Sequence, residues 1–124
     1  MDDRDPLTRL IIGAAIEVHR EMGPGLLESV YQACLEQELT LQGLEFERQV
    51  RLPLVYKGKN LEDYLILDIH IPGKLIVELK AVEKLIPLHE AQLMTYLKLT
   101  KTHVDLLINF NVPVLKDGIK RLVL

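Results

Sequence analysis

From Leu7 to about Glu21, apolar residues recur every three or four positions: Leu7, Leu10, Ile11, Ala14, Ala15 and Val18. That spacing places one buried stripe on a helix. Asp5-Pro6 marks its start, and Met22-Gly23-Pro24-Gly25 marks its end. A second helical pattern runs from about Leu26 to Gln42, with Leu27, Val30, Tyr31, Cys34, Leu35 and Leu39 on its apolar side and Gly43 closing it. From Phe46 the pattern changes to alternation and β-branched residues. Strands are predicted over 49–56, 64–71 and 75–81, with turns at Lys57-Gly58-Lys59-Asn60 and Pro72-Gly73. Pro53 places the first strand at an edge or a bulge, and the nearly all-apolar LIVEL predicts a central strand covered on both faces. Pro87 opens a helix from about Leu88 to Leu99, a strand follows over 104–110, and a turn around Pro113 to Gly118 precedes a last strand over 119–123. Met1 to Arg4 is a polar lead-in.

The order α, α, β, β, β, α, β, β predicts an α/β fold, a mixed sheet flanked by helices. A length of 124 residues with 48% hydrophobic content suits one domain spanning 1–124. Lys and Arg total 15 against 18 Asp and Glu, a formal net charge of -3. This balance argues against a broad non-specific nucleic-acid surface, yet leaves room for a local basic rim or a bound divalent cation. The single Cys34 excludes an intrachain disulfide and a Cys-rich metal site, and its position predicts a small buried thiol. No signal peptide opens the chain and no apolar run is long enough to span a membrane, so the expectation is a cytoplasmic protein with no membrane partner.

Candidate chemistry concentrates in Asp68 to Lys80, DIHIPGKLIVELK. Side chains two apart on a strand share a face, so Asp68 pairs with His70 and Glu78 with Lys80. Asp68, Glu78 and the Leu79 carbonyl would form the oxygen-rich site that hard cations prefer, and Lys80 could hold a water or stabilise charge on a phosphate. The competing reading is an ordinary Asp68-Lys80 or Glu78-Lys80 ion pair on a solvated strand face. His89, Gln92 and Tyr96 fall at i, i+3 and i+7 of the following helix and could turn a polar stripe toward the same place. Glu28, early in the second helix, is either a further carboxylate of the site or an acid favourable to the helix dipole. His70 and His103 show no zinc-ligand spacing. Without a glycine-rich phosphate loop or a GxSxG elbow, dinucleotide hydride transfer and acyl transfer are poorly supported.

Several motifs in order resemble the GxxExxY protein family, a small-domain branch of the PD-(D/E)xK nuclease superfamily. They are Gly25-Leu26-Leu27-Glu28-Ser29-Val30-Tyr31 within VHREMGPGLLESVY, then Phe46-Glu47-Arg48-Gln49, IVELKAVEKLIPLHEAQLMTYLKLT, LLINF and the closing GIKRLVL. The resemblance implies a restriction-endonuclease-like core αβββαβ preceded by an extra helix. It implies a nuclease that hydrolyses phosphodiester bonds with Mg²⁺ or Mn²⁺, acting on DNA ahead of RNA. Asp68 and Glu78 match the metal-binding carboxylates, Lys80 the catalytic lysine, Glu28 the helix glutamate that completes the acidic cluster, and Gln92 and Tyr96 the QxxxY motif. One departure is Leu65-Ile66-Leu67, wholly apolar where relatives often carry a basic residue. Two other readings stay open: a non-catalytic binding or self-assembly module, such as a homodimer joined through exposed edges, and action on a nucleotide or another phosphoester.

Overall fold

The computed structural model describes residues 5–124, so the Met1 to Arg4 lead-in lies outside the described residues. Helix α1 is Pro6–Met22 and α2 is Glu28–Leu41. The Asp5 side chain caps α1, accepting from the Leu7 and Thr8 N–H groups, while Gly23 at φ 73° ends it. Strand β1 is Glu47–Tyr56, β2 Lys59–Ile71 and β3 Leu75–Lys80. Helix α3, Pro87–Thr100, leads to β4, Val104–Asn109, and a short 3₁₀ turn precedes β5, Ile119–Val123.

The second strand starts earlier than its pattern predicts, at Lys59 rather than Tyr64. Lys57 and Gly58, both with positive φ, form a two-residue hairpin turn, and Tyr56 pairs directly with Lys59. Strand pairing here overrides the weak strand character of Leu61-Glu62-Asp63. Cys34 is half-buried rather than fully buried, at the margin of the core.

The sheet order is β1-β2-β3-β4-β5, with β3 and β4 parallel and the other pairs antiparallel. Pro53 lies on the edge strand β1, beside a register irregularity, where its missing N–H costs no central ladder bond. Central β3 is covered on both faces. Val77 and Leu79 pack with Ile108 under α1 and α2, in a cluster with Ile11, Ala15 and Leu35. Ile76 packs with Leu67 under Tyr96 and Leu97 of α3. Burying each of these aliphatic side chains contributes roughly 1.5–3 kcal/mol. Among the described residues, no helix is long and apolar enough to cross a membrane.

Regular alternation also fails near the inner end of the β1–β2 pair. Ile69 and Ile71 belong to the cluster under α1 and α2, whereas Leu65 and Leu67 face the cluster under α3. Across from Asp68 in the β1 register stands Gln49, in the left-handed region at φ 46°. On either side of Gln49, Arg48 bonds α2 through Glu36 while Val50 packs toward α3. Both strands therefore change face at the Gln49/Asp68 pair. A glutamine at positive φ is strained backbone, of the kind held in place by its surroundings and frequent at functional sites.

Candidate active site

The face change turns Asp68 out of the strand alternation and toward β3. Regular β2–β3 pairing ends at Ile69↔Val77, and beyond it the Asp68 side chain takes the place of a backbone partner. The Leu79 N–H donates to Asp68 Oδ2 at 2.8 Å, and the Asp68 N–H donates to Glu78 Oε1 at 3.1 Å. The two carboxylates are thus tied side by side across the hairpin. Residues of a ladder point N–H and C=O the same way, so the Leu79 carbonyl also turns toward this gap.

Glu78 is 5% exposed, and its pKa is pushed up to about 9, first by burial and then by the charge of Asp68. Among the described residues no ion pair joins Glu78 or Asp68 to Lys80. The solvated ion pair is therefore not what the chain builds here. Gln49 Nε2 donates to Asp68 Oδ1 at 3.3 Å, and the buried Gln32 of α2 donates from Nε2 to the Asp68 carbonyl at 3.0 Å. A cavity of about 260 Å³ opens beside them, lined by Glu28, Ser29, Gln32, Arg48, Gln49 and Asp68 among others.

Glu28, the first residue of α2, reaches this cavity. Its pKa is raised by partial burial and then by Asp68, and lowered by Lys80, so all three charges act on one another. Yet among the described residues no three acidic, histidine or cysteine side chains close into a metal-holding group. Asp68 and Glu78 are tied together, and Glu28 shares the cavity lining with Asp68.

The helix stripe divides. His89 Nδ1 accepts from the Ile86 N–H at 3.1 Å, so His89 closes the N-terminus of α3 and does not serve the site. Gln92 is exposed on α3 and makes no side-chain hydrogen bond among the described residues. Tyr96 alone turns inward: it is 5% exposed, and burial and then Glu78, Asp68 and Asp105 push its pKa up to about 12. His70 is not drawn into the cluster either, its Nδ1 lying 3.4 Å from Glu47 Oε1 on β1.

Asp105 is the residue that pattern reading passes over. It lies opposite Ile76 on β4, on the face of Glu78 and Tyr96. Asp105 is fully buried, neither carboxylate oxygen has a hydrogen-bond partner among the described residues, and burial and then Asp68 raise its pKa to about 9. The signal available in the sequence is an acid beside the apolar Leu106-Leu107-Ile108 run of a central strand.

The GxxExxY stretch builds the platform for Glu28. The Tyr31 hydroxyl donates to the Gly23 carbonyl at 2.6 Å and accepts from the Leu26 N–H at 3.1 Å. Its ring stacks on Phe110 at 4.5 Å between centroids. Gly25, at φ 91°, makes the bend that delivers Leu27 as the helix cap and Glu28 as the first helical residue.

Three helices on a five-stranded mixed sheet, with carboxylates on neighbouring strands at its centre, define the restriction-endonuclease-like α/β class. The chain belongs to the PD-(D/E)XK nuclease superfamily, whose family model matches residues 5–122. No curated protein and no solved structure matches it.

Proposed function

We propose that this chain is a divalent-metal-dependent nuclease that hydrolyses phosphodiester bonds, of DNA ahead of RNA, and that it belongs to the GxxExxY branch of its superfamily. The observation that carries the reading is the Asp68–Glu78 pair, a half-buried and a buried carboxylate tied together where, among the described residues, neither has an ion-pair partner. Such a pair is costly for packing alone and suits a hard cation, since every donor on offer is oxygen: one from Glu78, one from Asp68 and the Leu79 carbonyl. The group fits Mg²⁺ or Mn²⁺, which would supply charge neutralisation at the phosphate and a more acidic water.

The chain's own residues do the rest. Lys80 follows Glu78 on the same face and offers a cation for the attacking water or the phosphate oxygens. Glu28, which lines the same cavity as Asp68, would orient a water of the metal's outer shell. Tyr96 and Asp105 exclude water behind Glu78 and keep its surroundings poorly solvated. Gln92 is placed on the solvent side of α3 and is assigned a contact to substrate rather than to the carboxylates. The Tyr31-anchored loop supports the GxxExxY placement, because Gly25 and Tyr31 shape the turn that presents Glu28.

Purified protein should nick or degrade a panel of DNA and RNA substrates with Mg²⁺ or Mn²⁺. Glu78→Ala and Lys80→Ala should each lower the rate at least about 100-fold, the scale for removing a group that stabilises a transition state. Intact substrates under both metals would remove the catalytic reading and leave the binding module.

A further inference from the structure

Beyond the site, β2 pairs with β3 only through Ile69, His70 and Ile71, so outward of Asp68 the β1–β2 hairpin is a two-stranded arm. One face of the arm is held down, with Val50, Leu65 and Leu67 in the cluster under α3. The face change at Gln49/Asp68 turns the opposite face up on the side of the Glu28 cavity. That upper face carries Arg51, Tyr64 and Ile66. Tyr64 and Ile66 are 43% and 42% exposed, and the Arg51 guanidinium sits 4.6 Å from the centre of the Tyr64 ring. Tyr64 and Ile66 thus both keep about two-fifths of their surface open to solvent.

We propose that this arm is a track for single-stranded nucleic acid, on which Tyr64 stacks an unpaired base and Arg51 holds the adjoining phosphate, with the strand running on to Asp68. The assignment rests on the nuclease reading and adds the strandedness of its substrate. An exposed tyrosine with an arginine over its ring offers a π-face and a cation together, the combination that holds unpaired bases without reading their sequence. Duplex bases are already stacked and cannot use it. Tyr64 lies four residues from Asp68, about 13 Å at strand rise, a span of a few nucleotides. Ile66 adds an apolar contact between them. Charge agrees: residues 51–66 carry three cations, Arg51, Lys57 and Lys59, against two carboxylates, in a chain of net charge -3. Arg51 pairs with Ile66, which sets a cation beside the apolar Leu65-Ile66-Leu67 stretch on the way to Asp68.

The test is binding in EDTA, where hydrolysis does not interfere, read by fluorescence anisotropy of the full chain with a labelled oligonucleotide of about 16 nucleotides. The single strand should bind more tightly than its duplex. Tyr64→Ala should weaken single-strand binding about 5- to 150-fold, the range that stacking one base supplies, while Tyr64→Phe keeps it. Arg51→Gln should reduce the salt slope by about 0.7. Equal binding of both forms, or an unaffected Tyr64→Ala, overturns the track, as does a Tyr64→Ala change in sedimentation with unchanged oligonucleotide affinity, which would make the arm a self-association surface. Circular dichroism confirms folding of each variant. Cleavage in Mg²⁺ is scored separately: binding without cleavage sinks the nuclease reading and keeps the track, and cleavage of duplex with no role for Tyr64 does the reverse.

Discussion

The Tyr31 hydroxyl bonds the Gly23 carbonyl at 2.6 Å across the turn between α1 and α2, and the same oxygen receives the Leu26 N–H. One side chain thus satisfies both a donor and an acceptor of the loop that presents Glu28. Tyr31→Phe keeps the ring stacked on Phe110 and removes only these bonds. The expected cost is about 1–3 kcal/mol, because two backbone groups lose their partner. Denaturant unfolding of the two proteins measures it. An unchanged midpoint would mean that water replaces the hydroxyl without loss.

Gly118 meets the chain from another side. A Cβ on it would run into the Asn109 carbonyl, a backbone atom that cannot swing away. Asn109 in turn holds the segment after Lys80, accepting from the Val82 N–H at 3.1 Å and donating to the Val82 carbonyl at 2.9 Å. Gly118→Ala should therefore destabilise by about 1–3 kcal/mol, the usual cost of overpacking, and loosen the connection to α3. Thermal unfolding with amide exchange at Val82 checks both effects.

Much of this arrangement is legible in the residues themselves. Capping at Asp5, the stop at Gly23, the edge position of Pro53 and the doubly covered β3 follow from local chemistry that tertiary contacts do not overrule. Asp68 and Glu78 are legible as a pair because the tight turn at Pro72-Gly73 leaves little choice of register. His89 misleads for a physical reason: helical spacing groups it with Gln92 and Tyr96, but at the third position of a helix its ring reaches a free backbone N–H first. The face change at Gln49/Asp68 breaks the period-2 rule from which strand faces are read, so the direction of Asp68 and the exposed side of the arm are both hidden. Asp105 is concealed in an apolar run, where only its charge gives it away.

Asp105 leads to a pH prediction. It and Glu78 each hold a proton up to about 9 in the folded chain, against ordinary values of 3.8 and 4.5. Between those limits the folded state binds protons that the unfolded state has released, so stability is greatest below the window and falls as pH rises through it. Thermal melts in EDTA from about pH 5 to 9 should show a declining midpoint. Asp105→Asn should flatten the decline and raise the midpoint at the alkaline end by on the order of 5 °C. Parallel curves for the two proteins would show that Asp105 titrates as it does in the unfolded chain.

The same protons set the terms of metal binding. A carboxylate must be ionised to ligate a cation, so a cation taken up at the proposed Asp68–Glu78 site would have to displace the proton that burial and the charge of Asp68 keep on Glu78. Affinity for Mn²⁺ should accordingly strengthen as pH rises, and the metal should reverse the alkaline loss of stability seen in EDTA. At a metal concentration 100-fold above Kd the gain is about 2.7 kcal/mol. Asp68→Asn should abolish that gain, since it removes one proposed ligand and leaves the Leu79 N–H facing a neutral side chain. Calorimetry at two pH values, with buffers of different ionisation enthalpy, counts the protons released. A site that takes up Mn²⁺ without releasing any would mean that Glu78 is already ionised, and a melting curve indifferent to Mn²⁺ would mean that the paired carboxylates hold only each other.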